Sequence, residues 1–181
     1  MMATAPGRSA PDLDRWLPRP GLRVAHRRQG RVGDRQLWEA ARAVRLADTA
    51  TLGRLIRWRV PGSRSAGTFE ELFRCAPFVV LEEAELSLVS GLVGAIWAVR
   101  PDLPPLACAQ EFISWRRPGT ARVLFAHWAL GGALHCEVRV EAFGAQGRLG
   151  LAAIRPLVAA FGSLVGSEGI AAALRSVERD G

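Results

Sequence analysis

The side chains in this sequence best suited to chemistry are His127 and Cys136, which a turn at Gly131-Gly132 would bring face to face. A neutral imidazole can take a proton from a neighbouring thiol, and Cys–His pairs act as nucleophilic dyads in some enzymes. A histidine in apolar surroundings also stays neutral near pH 7 and can serve as a general base. Buried Cys is commonly a small hydrophobic residue, so packing or ligand lining is favoured over nucleophilic catalysis.

The facing of these two side chains depends on a β-hairpin predicted over residues 121–143. Two glycines between alternating runs favour a two-residue turn, because both turn positions need a positive φ. In the resulting register one face carries Val123, Phe125, His127, Cys136, Val138 and Val140. The other carries Arg122, Leu124, Trp128, His135, Glu137, Arg139 and Glu141. This sorting predicts a half-buried sheet with an exposed ladder of charges, including Arg122 opposite Glu141.

The composition indicates a globular protein with an unusual basic bias. The chain has 181 residues, 49% hydrophobic and 23% charged, and all 24 basic residues are Arg. Residues 1–64 hold 14 Arg against 5 acids, a net +9, whereas residues 65–181 hold 10 Arg against 12 acids, a net −2. A solvated Arg-rich surface is the favoured interpretation, because no nucleic-acid-binding motif accompanies the charge. Weak contact with an anionic surface through Arg54, Arg57, Arg59 and Arg64 is the alternative.

Several classes of protein are disfavoured by what the sequence lacks. Three scattered cysteines predict neither a disulfide framework nor a zinc site. No spacing resembles a phosphate loop or a hydrolase nucleophile elbow, so neither a metal nor a cofactor is predicted. The first 20 residues have no apolar core of a secretory signal, and the apolar run at 149–174 is interrupted by charges and glycines. A cytoplasmic protein is therefore predicted, with its oligomeric state left open.

The hairpin needs further elements around it. Residues 1–20 predict a poorly ordered lead-in, and residues 21–181 a single domain. A strand is predicted over 22–32, a helix opening at Asp34 as its N-cap, and a second short helix over 49–59. Residues 69–76, 78–83 and 86–99 are typical of strands, with a turn at 83–85, and residues 108–115 are ambiguous between helix and strand.

A long helix is predicted at the end of the chain, over residues 148–177. Its apolar stripe begins with Leu149, Ala153, Leu157 and Phe161. Pro156 predicts a kink or a restart of the helix, since proline removes a backbone donor. Such a helix, weakened by three glycines, is suited to move as a lid over the sheet, and close packing of the helix is the alternative role of these glycines.

This order of elements, with several short motifs, resembles the SRPBCC superfamily, which includes START-like and polyketide cyclase-like proteins, and more closely an actinobacterial branch of it. The motifs are LWEAA at 37–41, GLVGAIW at 91–97, EFISWRRPG at 111–119, CEVRV at 136–140 and Arg155-Pro156. The resemblance covers residues 22–178. It implies the helix-grip fold, an α+β fold with a curved antiparallel sheet wrapped around a long C-terminal helix and two short helices after the first strand.

The resemblance implies a hydrophobic small molecule, such as a lipid, a polyketide or another aromatic compound, held between the sheet and the C-terminal helix. The residues expected to line this cavity are Trp97, Phe125, His127, Cys136, Val138 and Phe161, with His127 orienting a polar group of the ligand. The alternative function is a cyclase- or dehydratase-like enzyme with His127 as the general base. A third, less favoured hypothesis is an interaction or anionic-membrane module that uses the Arg-rich N-terminal third.

Overall fold

The described part of the chain forms an α+β structure built on one five-stranded antiparallel sheet. The computed structural model describes residues 9–45 and 67–164, with side chains described to residue 157. A 3-10 turn (Leu13–Arg15) is followed by β1 (Leu22–Gln29), α1 (Asp34–Ala43), α2 (Phe69–Arg74), β2 (Val79–Ala84), β3 (Ser87–Gly94), α3 (Ala109–Ser114), β4 (Ala121–Leu130), β5 (Ala133–Ala142) and α4 (Gly144–Leu164). The strands lie in the order β1-β5-β4-β3-β2. The helix predicted over 49–59 lies outside the described residues.

The predicted hairpin register is confirmed. His127 pairs with Cys136 and Arg122 with Glu141 across β4 and β5. Gly131 and Gly132 form the turn with φ of 62° and 72°, the left-handed region that favours glycine. Asp34 is the first residue of α1 rather than its N-cap, which is Gly33. Its carboxylate instead accepts hydrogen bonds from the amides of Gly131 and Gly132, at 3.3 and 2.6 Å, and so ties α1 to the hairpin.

Both faces of the sheet are covered. On the inner face, defined by Phe125, His127, Cys136 and Val138, an apolar cluster continues into α1, α2 and the start of α4. The outer face carries a second apolar cluster, formed by Leu13, Trp16, Leu17, Leu81, Val89, Val93, Phe112, Leu124 and Ala126. The sheet is therefore a middle layer between two cores.

Charged side chains of the outer face are buried, which corrects the predicted exposed ladder. Glu137 and Arg139 are 4% and 7% exposed. Arg139 donates to Glu137 at 2.6 Å, to the carbonyl of Leu17 at 3.1 Å and to Asp14, and Arg23 also pairs with Glu137. The ladder is buried because the N-terminal segment packs over it, and each charge is then stabilised by its partners.

Arg122 is the third buried charge of the outer face, at 2% exposed. It donates to the carbonyls of Phe112 and Ile113, at 3.2 and 2.7 Å, and pairs with Glu141. The guanidinium thereby satisfies carbonyls at the end of α3 and fixes that helix against the sheet.

The segment before β1 is packed, whereas the sequence predicts a poorly ordered lead-in over residues 1–20. Within its described part, Leu13, Trp16 and Leu17 are buried in the outer-face cluster. The indole of Trp16 also donates to Glu82 of β2 at 3.0 Å. These side chains explain why the segment is ordered, because they bury apolar area on the outer face. The prolines and arginines around them dominate the composition of the segment, so its composition alone predicts disorder.

Residues 69–74 form a helix, whereas their pattern in the sequence predicts a strand. Thr68 and Glu71 make a capping box, in which the Thr68 hydroxyl accepts from the Glu71 amide at 3.2 Å and the Glu71 carboxylate accepts from the Thr68 amide at 2.9 Å. The buried side chains Phe69, Leu72 and Phe73 follow helical spacing. The ambiguous residues 108–115 also form a helix, α3, and the turn between β2 and β3 falls at Glu85-Leu86 rather than at 83–85.

Helix α4 packs against the sheet through a different stripe from the one predicted. Leu149 is 73% exposed, and the buried position of this stretch is Leu151. Gly147 and Gly150 lie on the same side, where a side chain at Gly150 would overlap the indole of Trp97. Glycine allows this close approach, so the packed face combines glycines with the apolar side chain of Leu151. The helix runs on through Pro156.

Replacing Gly131 by Ala is expected to destabilise the protein by about 1 kcal/mol, because an L residue is strained at φ 62° although no atom lies within 4 Å of the added methyl. Gly131→Asn is the matched control, since asparagine tolerates the left-handed region and no atom crowds the site. Urea unfolding of both variants measures the difference. Equal stability of the two variants would contradict the strain argument.

Replacing Arg139 by Leu is expected to cost about 3 kcal/mol, because it leaves Glu137 buried with only the more exposed Arg23 as a partner. Arg23→Leu, at a side chain 59% exposed, is expected to cost less than about 1 kcal/mol. Chemical unfolding of the two variants compares these costs. A loss of the same size in both variants would contradict the larger contribution assigned to the buried Arg139.

Candidate functional site

Three chemically active side chains form one row across the inner face. His26 of β1 pairs with Cys136 of β5, and Cys136 pairs with His127 of β4. Directly paired residues have Cβ atoms about 4.5–5.5 Å apart. The predicted juxtaposition of His127 and Cys136 is therefore confirmed, and His26 extends it. The alternation of Leu22, Val24 and His26 along the first strand is the signal that could have identified this third member.

His127 lies among aromatic rings, and its Nε2 lacks a polar partner. Its ring meets Phe73 at 4.8 Å and Phe69 edge-on at 5.6 Å, measured between centroids. The Nε2 atom is buried and has no hydrogen-bond partner. Burial lowers the pKa of His127 from 6.5 to about 4, because the charged imidazolium is poorly solvated there. The ring is therefore neutral at pH 7 and offers one free acceptor or donor nitrogen.

Cys136 is a buried thiol rather than a thiolate. Burial, reinforced by the charge of Glu137, raises its pKa to about 12. A nucleophilic cysteine needs an environment that lowers the pKa of its thiol. Since the thiol and the neighbouring imidazole are both neutral at pH 7, the pair does not form a thiolate–imidazolium dyad.

A cleft borders His127 on the inner face, where α1 and α2 meet β3, β4 and β5. Its volume is about 50 Å³, which is room for about three or four water molecules or one compact group of a ligand. The lining is mainly apolar and consists of Trp38, Ala41, Arg42, Val44, Phe69, Glu70, Phe73, Leu88, His127, Leu134 and His135. A cleft of this size accepts part of a small molecule rather than enclosing a whole drug-sized ligand.

The charged residues of the cleft are paired with each other. Arg42 of α1 donates Nε and Nη2 to the two carboxylate oxygens of Glu70 in α2, at 2.7 and 2.8 Å. Arg74 adds a hydrogen bond to Glu70 at 2.9 Å and bridges to Glu83 of β2. The hydrogen bond from Arg42 lowers the pKa of Glu70, so the carboxylate stays ionised at neutral pH. The two helices are thus joined across the cleft by a bidentate ion pair.

His135 also borders the cleft, but its chemistry is engaged elsewhere. Its ring stacks on Trp128, with centroids 5.0 Å apart, and its Nε2 lies 3.3 Å from the carbonyl of Leu130. Burial is the main cause of its lowered pKa. Of the two histidines at the cleft, His127 is therefore the one whose Nε2 lacks a partner.

The other predicted wall residues take different places. Phe125 packs with Phe73 and Phe78, and both Cys136 and Val138 are buried in the inner-face cluster. Trp97 fills the space beside the glycines of α4. Phe161 belongs to α4, but its side chain is not among those described. The geometry thus brings His127, of the six, to the cleft between the two short helices and the sheet.

Most of the cleft lining is absent from the sequence-based expectation. Trp38, Phe69, Phe73 and Leu134 line it, whereas the expected cavity lay between the sheet and the C-terminal helix. Trp38 belongs to the LWEAA motif of α1, and the Phe69 and Phe73 rings follow from helical spacing in α2. Recognising the Thr68–Glu71 capping box would have placed both rings on one helix face.

Comparison with known proteins leaves these features without a counterpart: no family model, curated protein or solved structure matches this chain. Within residues 9–45 and 67–164, no three His, Cys, Asp or Glu side chains are placed to hold a metal ion. No helix in that part combines the length and apolar character needed to cross a membrane. Arg54, Arg57, Arg59 and Arg64, predicted to contact an anionic surface, lie outside the described residues.

Replacing His127 by Leu is expected to flatten the acid side of the stability profile. The unfolded histidine binds a proton near pH 6.5 and the native one only near 4, so stability falls as the pH decreases between these values. From pH 7 to pH 5 this histidine accounts for a loss of about 2 kcal/mol. Urea unfolding of the wild type and His127→Leu at both pH values measures it. The same loss in both proteins would contradict the lowered pKa.

Proposed function

We propose that this chain is a helix-grip protein that binds a hydrophobic small molecule on the inner face of its sheet. The strand order β1-β5-β4-β3-β2 supports the fold assignment, since it places the β4–β5 hairpin inside the sheet, with β3 on one side and β1 on the other. The start of α4 lies on the inner face, where Leu151 joins the same cluster as Leu37 and Val138. That is where a helix-grip protein holds its C-terminal helix against the sheet.

The observation that carries the proposal is an apolar cleft with one unsatisfied imidazole at its wall. A mainly apolar surface with a few convergent polar groups is the usual composition of a small-molecule site. Here Trp38, Phe69 and Leu134 provide apolar contact, and His127 provides the polar group. The volume of the cleft indicates that it receives one compact part of the ligand, such as a ring.

A cyclase- or dehydratase-like reaction with His127 as general base is the second candidate, supported by the neutral state of the ring at pH 7. Binding is favoured over it for two reasons. A conjugate acid with a pKa of about 4 makes a weak base at neutral pH, far from the optimum near the working pH. The other ionisable groups of the described lining do not offer a free general acid: Arg42 and Glu70 are paired with each other, and the Nε2 of His135 lies against the carbonyl of Leu130.

The proposal predicts that filling the cleft abolishes binding. In Ala41→Phe the new ring occupies the cleft from α1, whereas in Ala43→Phe it points from an exposed position that does not line the cleft. Toluene, as an apolar probe, is expected to raise the melting temperature of the wild type and of Ala43→Phe but not of Ala41→Phe. Native mass spectrometry of the three purified proteins should show the same order for any co-purified compound.

Two results would overturn this proposal. One is the absence of a toluene-induced shift in the wild-type protein at concentrations near saturation. The other is an equal shift in Ala41→Phe and Ala43→Phe, which would place the toluene site away from the cleft. A comparable melting temperature of the two variants without toluene establishes that both are folded.

A further inference from the structure

The cleft is lined by His127, whose Nε2 has no hydrogen-bond partner, and by charges that are paired with each other. Together these groups restrict the chemistry of the occupant. Resting on the proposed function, we propose that the ligand is uncharged and carries a hydroxyl group, an alcohol or a phenol, that hydrogen-bonds to His127.

An occupant of the cleft can supply a polar partner to His127. The Nε2 atom of His127 is buried without a hydrogen bond, while the ring borders the cleft between Phe69 and Phe73. Buried polar atoms in native proteins are nearly always satisfied, and an unsatisfied one calls for a specific explanation. A ligand group that enters the cleft and bonds to this imidazole supplies one.

The charges of the cleft lining are already paired with each other. An anionic ligand would need a free cation, but Arg42 directs Nε and Nη2 to Glu70. A cationic ligand would need a free carboxylate, but Glu70 already accepts from Arg42 and from Arg74. Because burial also keeps the imidazole neutral, the described residues of the lining offer no unpaired charge to a ligand. An uncharged occupant is the one that fits.

The neutral imidazole of His127 determines which polar group of a ligand fits best. A neutral imidazole has one N–H donor and one bare acceptor nitrogen. A hydroxyl group can donate and accept, so it satisfies the imidazole in either tautomer. A ketone only accepts, so it fits one tautomer, and a hydrocarbon satisfies neither. The hydroxyl is therefore the group best matched to this wall, on an apolar body that packs against Trp38 and Phe73.

The experiment compares phenol with toluene, which exchanges a hydroxyl for a methyl on the same ring. Titration calorimetry on the wild type, His127→Leu and His26→Leu gives the ratio of the phenol affinity to the toluene affinity in each protein. His26 is the matched control, because its Nε2 is also buried without a partner in the same row, yet His26 is not among the residues that line the cleft. The ratio is expected to fall at least tenfold in His127→Leu and to stay unchanged in His26→Leu.

A second measurement does not depend on the folding of any variant. The imidazole ¹⁵N resonances of His127 in the wild type are expected to shift on addition of phenol and to move much less on addition of toluene. Acetophenone, which carries a carbonyl in place of the hydroxyl, is expected to bind more weakly than phenol.

The outcomes separate this inference from the function on which it rests. Toluene binding with an unchanged affinity ratio in His127→Leu would overturn the hydroxyl assignment and leave hydrophobic binding intact. Tighter binding of acetophenone would assign a carbonyl instead and overturn it as well. Failure of both phenol and toluene to bind the wild type would overturn the inference together with the proposed function.

Discussion

The pairing of β4 with β5 is the interaction on which the rest of this structure depends. These two strands lie in the interior of the sheet, and their register decides which side chains occupy each face. A slip of one residue would exchange the faces, moving Phe125 and Val138 to the outer side and Arg139 into the inner core. The glycine turn and the carboxylate of Asp34 at its amides hold the register in place. The row of His127 and Cys136 on the inner face and the buried charges of the outer face take their positions from this hairpin.

The register also determines which side chains the rest of the chain must cover on the outer face. It places Arg122, Glu137 and Arg139 on one side, and the apolar residues Leu124 and Ala126 lie among them. Covering the apolar residues necessarily buries the charges beside them. The cover succeeds because it brings partners as well as hydrophobic area: the carbonyls of α3 serve Arg122, and Asp14 with a backbone carbonyl serves Arg139. A purely apolar cover would leave buried charges uncompensated.

The hairpin was predictable because its signals are local and agree with each other. A pair of glycines and two alternating runs state the turn, the register and the faces together. The placement of α4 was not predictable in the same way, because large apolar residues suggested Leu149 as a contact while the packed face contains Gly147 and Gly150. Their role follows from the approach of Trp97, which is about 50 residues distant in sequence and enters no periodicity argument.

One part of the candidate site was likewise predictable from the sequence, and the other part was not. The inner-face pair of His127 and Cys136 came from strand register alone, since both residues belong to one hairpin. The cleft itself forms where α1 and α2 meet the sheet, and its existence depends on Phe69 and Phe73 belonging to a helix. The strand predicted for residues 69–76 hid that arrangement, because alternation would have sent neighbouring side chains to opposite faces. The Arg42–Glu70 pair, which joins residues 28 positions apart, requires the tertiary structure to be seen.

The electrostatics of the inner face support the proposed binding function over the alternative reaction. Burial keeps both the His127 imidazole and the Cys136 thiol neutral at pH 7, with pKa values displaced in opposite directions. A reaction that develops charge in its transition state needs groups that stabilise that charge, and the ion pair at the cleft is already satisfied. Binding an uncharged molecule does not require groups that stabilise a developing charge. It requires apolar contact and one hydrogen bond, which the cleft lining and the neutral His127 imidazole can provide.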